Sequence, residues 1–142
     1  MKSTKRLEEI LTTTDNLNTF LESNKINFID SNFVDLMKVH IDNQTFSKYQ
    51  ILNDAHIDLN YGYQILNGRR KPHRNKVIQL GLAMLLPLKE TQELLSSSSN
   101  SRLYIRDRRD AIIMYAIDQQ LGVMETENLL NDQNEKTLIE ND

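Results

Sequence analysis

The chain has 142 residues, 39% of them hydrophobic, and it contains neither cysteine nor tryptophan. This length predicts one domain, or one domain with a small extension. The absence of cysteine excludes disulfides and thiolate metal sites, which fits a reducing, cytoplasmic location. Only four glycines and two prolines interrupt long patterns of helical period, so the chain is predicted to be all-α.

The formal net charge is −3, but the positive charge is concentrated in one stretch. Residues 47–76 carry six Lys or Arg against two Asp or Glu, a net +4. Residues 1–46 carry five against seven, and residues 77–142 carry six against eleven. Because salt screens charges beyond about 8–10 Å, a phosphate backbone responds to the local charge. The overall acidity therefore does not exclude a nucleic-acid partner.

Two short amphipathic patterns open the chain, at residues 7–11 and 17–21. Charges and threonines break up this region, so no signal peptide is expected. The longest apolar run, at residues 80–88, is interrupted by Gly81 and Pro87 and is too short to span a membrane. Thr14 or Asp15 is the expected N-cap of the second helix. Helices this short need a surface to pack on, either the rest of the domain or a second subunit.

A connection is expected at residues 24–30, followed by a helix that Ser31 caps. Phe33 and His40 fall on one apolar stripe of this helix. For His40, a partly buried histidine satisfied by a hydrogen bond is a better interpretation than a metal ligand.

Residues 47–72, SKYQILNDAHIDLNYGYQILNGRRKP, predict two short helices joined by a tight turn and followed by a basic loop. The apolar face of the first helix consists of Ile51, Leu52 and Ala55. Asp58 is placed to cap the second helix. The inner face of that helix consists of Tyr61, Ile65 and Leu66. Gly68 suits a left-handed helix end, and Pro72 prevents an immediate return to helix.

Two residues of this stretch depart from an ideal pair of helices. His56 lies in the turn, where it is tolerable because histidine is enriched at positive φ. Gly62 lies inside the second helix and costs about 1 kcal/mol relative to alanine. It either allows close approach to a phosphate backbone or marks a frayed first turn.

A nearly all-apolar helix at residues 77–86 is predicted to be the central core helix, because a helix that is apolar on most sides is buried on most sides. Pro87 ends it or starts the next helix, which is expected at residues 91–95. Residues 96–101, SSSSNS, are predicted to form a loop.

The last third is predicted to contain two more helices, the first with an apolar run at residues 111–117. Asp107 is a reasonable N-cap for it, and Asp110 is expected to pair with Arg106 or Arg109. We interpret these arginines as a structural salt-bridge network rather than as DNA contacts. Gly122 separates the final helix, after which a polar tail from residue 131 onward is expected to fray.

Residues 47–72 resemble the helix-turn-helix of the Xre/Cro, or lambda-repressor-like, family of repressors. The family pattern is a Leu-Ala pair in the first helix, a Gly-apolar-Ser turn, an apolar residue deep in the second helix, and Gly-basic-basic-x-Pro. The corresponding residues of this chain are, in the same order, Ile51-Leu52, His56-Ile57-Asp58, Ile65 and Gly68-Arg69-Arg70-Lys71-Pro72.

Later residues are similar to a group of small bacterial Xre-type regulators that carry a helical extension after the DNA-binding domain. The matching pieces are Tyr63-Gln64-Ile65 through Pro72, Glu90 to Leu95, Leu103-Tyr104, and Arg108 to Ile113. The resemblance covers roughly residues 31–130 and implies a lambda-repressor-like helix-turn-helix bundle. Its parts are an N-terminal helical extension (1–30), a DNA-binding domain (31–95), a C-terminal helical extension (102–131) and a polar tail (132–142).

The resemblance implies a sequence-specific regulator of transcription that binds double-stranded DNA, with the second helix in the major groove. Among its exposed residues Asn60 and Gln64 are the best base readers, since an amide pairs bidentately with adenine. The implied base-reading set is Asp58, Leu59, Asn60, Tyr61, Tyr63 and Gln64, although Tyr61 is also a core candidate. The implied phosphate-binding set is Lys48, Asn67, Arg69, Arg70, Lys71, Arg74 and Lys76.

One such module reads few base pairs, so a homodimer on a two-fold operator is expected, with half-sites roughly 34 Å apart. The last two helices either form the dimer surface or are buried within one subunit. The alternative function is a protein-interaction or antitoxin-like adaptor that keeps the fold without binding DNA, and a regulatory protein partner fits either function. The three histidines lie in different predicted elements and no catalytic motif occurs, so we expect no enzyme, metal or cofactor.

Overall fold

Apolar residues at helical spacing fold into nine α-helices within the residues that the computed structural model describes, 3–23 and 33–139. The all-α prediction is confirmed for these two ranges, which contain no strand. The predicted connection at 24–30 and the predicted cap Ser31 lie outside them. The helices are α1 (Thr4–Thr13), α2 (Leu17–Ser23), α3 (Phe33–Asp42), α4 (Lys48–Asp54), α5 (Leu59–Leu66), α6 (Arg74–Ala83), α7 (Leu88–Ser97), α8 (Arg108–Asp118) and α9 (Val123–Asp132).

The two N-terminal helices begin close to where the apolar pattern places them, but their caps differ from the prediction. Oδ1 of Asn16 accepts the backbone N–H of Thr19 at 3.2 Å and caps α2. Thr14 instead ends α1, where its N–H donates to the carbonyl of Leu11. The prediction of Thr14 or Asp15 as the cap was wrong because Thr14 is engaged in the preceding helix.

The central helix of the fold is α6, as predicted. It buries six consecutive residues from Val77 to Leu82 and packs against α4, α7 and α9. One of the six, Gln79, is polar, and its Nε2 donates to the carbonyl oxygen of Ala55 at 2.8 Å. This bond ties the end of α4 to the core helix. Pro87 immediately precedes α7, which extends three residues earlier and two later than predicted, at Leu88–Ser97.

The helices from α4 to α9 all end in the same way. The residue after each C-cap is left-handed, and the N–H of the next residue donates to a carbonyl five positions earlier, which is the Schellman arrangement. The positive φ expected for His56 is confirmed at 57°, as is the left-handed Gly68 at 85°. The six left-handed residues are His56, Gly68, Leu85, Ser99, Gln120 and Asn134.

Gly62 is buried at the crossing of α4 and α5. A Cβ at this position would lie 2.6 Å from Cδ2 and 2.8 Å from Cδ1 of Leu52, whose side chain is itself fully buried. Both interpretations made from the sequence were therefore wrong, because Gly62 neither faces solvent nor marks a frayed turn. Its missing side chain lets α5 approach α4 closely.

Gly62→Ala is expected to destabilise the protein by up to about 2 kcal/mol. The gain in helix propensity is about 1 kcal/mol, but overpacking a filled core costs about 1–3 kcal/mol. Urea unfolding followed by circular dichroism measures the difference. In a Leu52→Ala background the same change should be neutral or stabilising, because the added methyl enters the vacated space. Equal destabilisation in both backgrounds would contradict the proposed clash.

The serine stretch at residues 96–101 is not wholly a loop. Ser96 and Ser97 belong to α7, and Ser97 and Ser98 are buried. Their hydroxyls donate to the carbonyl of Leu94, each at 2.9 Å. These bonds satisfy the two hydroxyl groups that are buried at the helix end, which composition alone does not indicate.

The polar tail is docked on the last two helices, so the expected fraying is wrong for residues 133–139. Leu138 is fully buried, and its N–H donates to the Glu127 carboxylate. Arg108 bonds the carbonyl of residue 133, and Arg109 bonds those of residues 136 and 137. These arginines thus serve a structural purpose, with partners in the tail.

Candidate nucleic-acid interface

The pair α4–α5 is held by local caps and by apolar contacts with the core. Ser47 and Gln50 form a reciprocal capping box at the start of α4, with both bonds at 3.2 Å. In the turn, Ile57 is buried, and the predicted cap Asp58 is confirmed because its Oδ2 accepts the N–H of Tyr61 at 3.2 Å. The chain therefore enters α5 with a fixed orientation.

Helix α5 has one buried and one exposed face. The buried residues are Gly62, Ile65 and Leu66. On the other side Leu59, Asn60 and Tyr63 are exposed and Gln64 is half-buried. The side-chain amides of Asn60 and Gln64 have no hydrogen-bond partner in the part of the chain that the structure describes. Tyr61 is half-buried and packs on the core. Of its two predicted roles, base reader and core residue, this placement fits the core residue.

The basic loop after α5 folds back on the end of that helix. The backbone N–H groups of Arg69 and Arg70 both donate to the carbonyl of Gln64, at 2.9 and 3.1 Å. The Arg70 guanidinium lies over the ring of Tyr61, 5.7 Å from its centroid, so it is oriented before any ligand binds. Arg69, Arg70 and Lys71 are exposed, and none forms an ion pair within residues 3–23 and 33–139.

Asn100 holds this loop from the side of α7. Its Nδ2 donates to the carbonyl of Pro72 at 3.1 Å and to Oγ of Ser98 at 2.9 Å. Reasoning from the sequence missed this residue, because no local pattern links positions 28 apart. The loop that carries the three exposed cations is therefore anchored at its far end.

Arg74 does not belong to the phosphate-binding set. Its guanidinium donates to both carboxylate oxygens of Asp110, at 3.0 and 2.8 Å, and to the carbonyls of Ser101 and Arg102. Its side chain is 24% exposed. The prediction that Arg74 binds phosphate is corrected, because four of its five N–H donors are already used inside the protein.

Asp110 pairs with Arg74 rather than with the predicted Arg106 or Arg109. Burial alone would raise the pKa of Asp110. The hydrogen bonds from Arg74 and the Tyr104 N–H, together with the charges of Arg74 and Arg109, outweigh burial and hold the pKa below its ordinary value of 3.8. The predicted cap Asp107 is confirmed, since its Oδ1 accepts the N–H of Asp110 at 2.9 Å.

The other members of the predicted phosphate-binding set differ in accessibility. Lys48 is exposed at the first position of α4, and Lys76 is half-buried in the first turn of α6. Asn67 is exposed, but its Oδ1 accepts the N–H of Arg69 at 3.0 Å. Asn67, Arg69, Arg70 and Lys71 thus follow α5 directly, Lys48 begins α4 and Lys76 lies in α6, whereas Arg74 is engaged within the protein.

Within the described ranges, no three His, Asp or Glu side chains come together as a metal ion would need. No helix there has the length and apolarity to cross a bilayer. Comparisons with models of protein families, with curated proteins and with solved structures find no match to this chain.

Proposed function

We propose that this protein is a sequence-specific regulator that binds double-stranded DNA, with α4 and α5 as a lambda-repressor-like helix-turn-helix and α5 in the major groove. The observation that carries the proposal is the exposed face of α5, where, among the residues that the structure describes, amides without a hydrogen-bond partner are followed along the chain by cations without a counter-ion. Residues 59–76 contain five Lys or Arg and no Asp or Glu. A duplex offers base edges to the amides and phosphates to the cations.

Asn60 and Gln64 are the proposed readers of base edges. They lie one helical turn apart, so both amides face the same groove. An amide that both donates and accepts matches the N6 and N7 atoms of adenine. Leu59, exposed at the start of α5, is suited to contact a thymine methyl group.

Arg69, Arg70 and Lys71, together with Lys48, are the proposed phosphate contacts. Their charges fix affinity and register rather than sequence choice. Arg70 retains its guanidinium N–H donors for phosphate, because the cation–π contact with Tyr61 is not a hydrogen bond. In this proposal the protein acts as a homodimer, since one helix reads too few base pairs to select a unique site.

In vitro selection of bound DNA from a random pool tests this function. A two-fold motif with half-sites about one helical turn, roughly 34 Å, apart is the expected result. Failure to enrich any sequence from the pool, at low as well as physiological salt, would refute the proposal and leave a protein-interaction role for this face.

Asn60→Ala and Gln64→Ala are each expected to change which sequence is selected. Loss of one bidentate contact should remove about 1–3 kcal/mol of discrimination at one base pair per half-site. Repeating the selection with each variant measures this. Asn128→Ala, which removes an exposed amide from α9, is the matched control and should leave the motif unchanged. Equal weakening on every sequence would show that these amides are not readers.

A further inference from the structure

Large apolar side chains are exposed around a groove that no residue of the basic loop lines. Phe46, Leu85 and Met124 are 52%, 52% and 48% exposed. They line a groove of about 440 Å³ where the end of α4, the end of α6 and the start of α9 meet. Exposed apolar side chains are unremarkable singly, but a contiguous group around a depression is typical of an interaction site. We call these three residues the apolar rim.

Leu85 is held in a conformation that does not suit leucine. Its φ is +54°, in the left-handed region, which a residue with a Cβ enters at a cost. Of the six left-handed helix ends, five carry glycine or a polar residue, and only this one carries a large apolar side chain. Because that side chain remains half exposed, its burial within the chain offsets only part of the cost. A leucine at this position is explained if another molecule buries it.

The surroundings of Leu85 are acidic. Asp54 and Glu125 line the first groove. A second depression of about 210 Å³ is also lined by Leu85 and includes Asp118. Neither depression is lined by Lys or Arg. The partner should therefore present cations next to its apolar side chains.

We propose that the apolar rim is the docking site for a basic amphipathic segment of another protein. Apolar side chains of that segment cover Leu85, Phe46 and Met124, while its Lys and Arg face Asp54, Glu125 and Asp118. A second copy of this chain is the poorer occupant, because two-fold pairing would bring these carboxylates against their own kind. The proposal does not depend on DNA binding, since it uses none of the residues of the basic loop or of α5.

Binding of a defined probe to the full chain tests the proposal. The probe is a synthetic helical peptide with leucines on one face and lysines on the other, and its counterpart carries glutamates in place of the lysines. Fluorescence anisotropy is expected to show at least about tenfold tighter binding of the lysine peptide. NMR shifts on binding should centre on Phe46, Leu85 and Met124.

Leu85→Gly separates docking from folding. It should weaken binding of the lysine peptide at least about tenfold, as loss of a central apolar anchor does. It should also raise the melting temperature, because glycine tolerates the left-handed conformation. Asn134→Gly is the matched control: it removes the Cβ from another left-handed helix end, after α9, that lines neither depression, and it should change peptide binding as little as it changes folding. Ile105→Ala, at another exposed apolar position, should leave binding unchanged.

Three results would overturn the proposal. In the first, Leu85→Gly does not weaken binding of the lysine peptide. In the second, the lysine peptide and the glutamate peptide bind equally well. The third is self-association in sedimentation that Leu85→Gly abolishes, which would make a second copy the occupant. DNA selection on the Leu85→Gly variant keeps the two proposals distinguishable, because the selected motif should not change.

Discussion

Asp110→Asn is expected to lower the free energy of unfolding by about 2–4 kcal/mol. The carboxylate is 8% exposed and accepts two hydrogen bonds from Arg74 and one from the N–H of Tyr104. Breaking a fully buried ion pair costs about 3–5 kcal/mol. We expect somewhat less here because Arg74 keeps about a quarter of its exposure. The neutral amide also turns an NH₂ group toward donors, so one of the bonds is lost outright. Urea unfolding at neutral pH measures the effect.

The pH dependence of this difference tests whether the charge of Asp110 is responsible. Its pKa is lowered in the folded protein, so its stabilising contribution is complete above the unfolded pKa. The contribution is lost as the pH falls through the lower, folded value. The gap between wild type and Asp110→Asn should therefore be constant from pH 7 down to about 5 and narrow below about pH 4. Asp118→Asn, an exposed carboxylate in the same helix, should show little effect. If the difference in unfolding free energy between wild type and Asp110→Asn does not change with pH, the lost stability comes from altered packing and hydrogen-bond geometry and not from the charge.

Local patterns predicted the parts of the fold that local forces determine. The cap at Asp58, the stop at Gly68 and the burial of α6 each depend on residues within a turn or two of one another. A hydroxyl or carboxylate at the start of a helix accepts hydrogen bonds from the free N–H groups of that helix. An apolar stripe along a helix packs against the core. The exposed face of α5 followed from the same period, which is why the candidate base readers could be named from the sequence.

Contacts between distant residues could not be predicted in this way. Arg74 and Asp110 are 36 positions apart, and either could have been a surface charge. Their pairing depends on how α6 meets α8, which the sequence does not specify by spacing. The same holds for the hydrogen bonds that the tail N–H groups of Leu138 and Ile139 donate to the Glu127 carboxylate. A charge count alone therefore overstated the basic surface near α5 by one arginine.

The helix ends show a second limit. Only Gly68 among the six left-handed residues is a glycine, and the other five carry a Cβ, which costs about 1–2 kcal/mol except in residues such as asparagine that adopt this conformation readily. Burial of the following residue contributes in the opposite direction, as at Ile57 and Leu86. A pattern search that requires glycine misses such ends. Such a search also misinterprets Gly62. Glycine is required there because the Leu52 side chain, on a different helix, leaves no room for a Cβ.

Replacing both Arg69 and Arg70 by alanine is expected to have the largest effect on DNA binding. Each phosphate contact contributes about 0.9 to the slope of log affinity against log salt concentration, so the slope should fall by about 1.8. Raising salt fourfold, from about 50 to 200 mM, should then cost the variant about twelvefold less affinity than wild type. Fluorescence anisotropy on random-sequence duplexes across a salt series measures both slopes. The loss should be the same on random and selected DNA, because phosphate contacts carry no sequence information.

A control of equal charge decides whether the effect is local. Lys5→Ala with Lys89→Ala removes two exposed cations from α1 and α7. If binding responded only to net charge, both double variants would lower the slope equally. Because exposed charges more than a Debye length from a phosphate are largely screened, we expect the control to leave the slope nearly unchanged. Arg74→Gln, which removes the charge, gives a further check: it should lower stability without lowering the slope, since this arginine is already paired with Asp110. A slope that falls with Arg74→Gln but not with replacement of Arg69 and Arg70 would place the phosphates elsewhere on the surface.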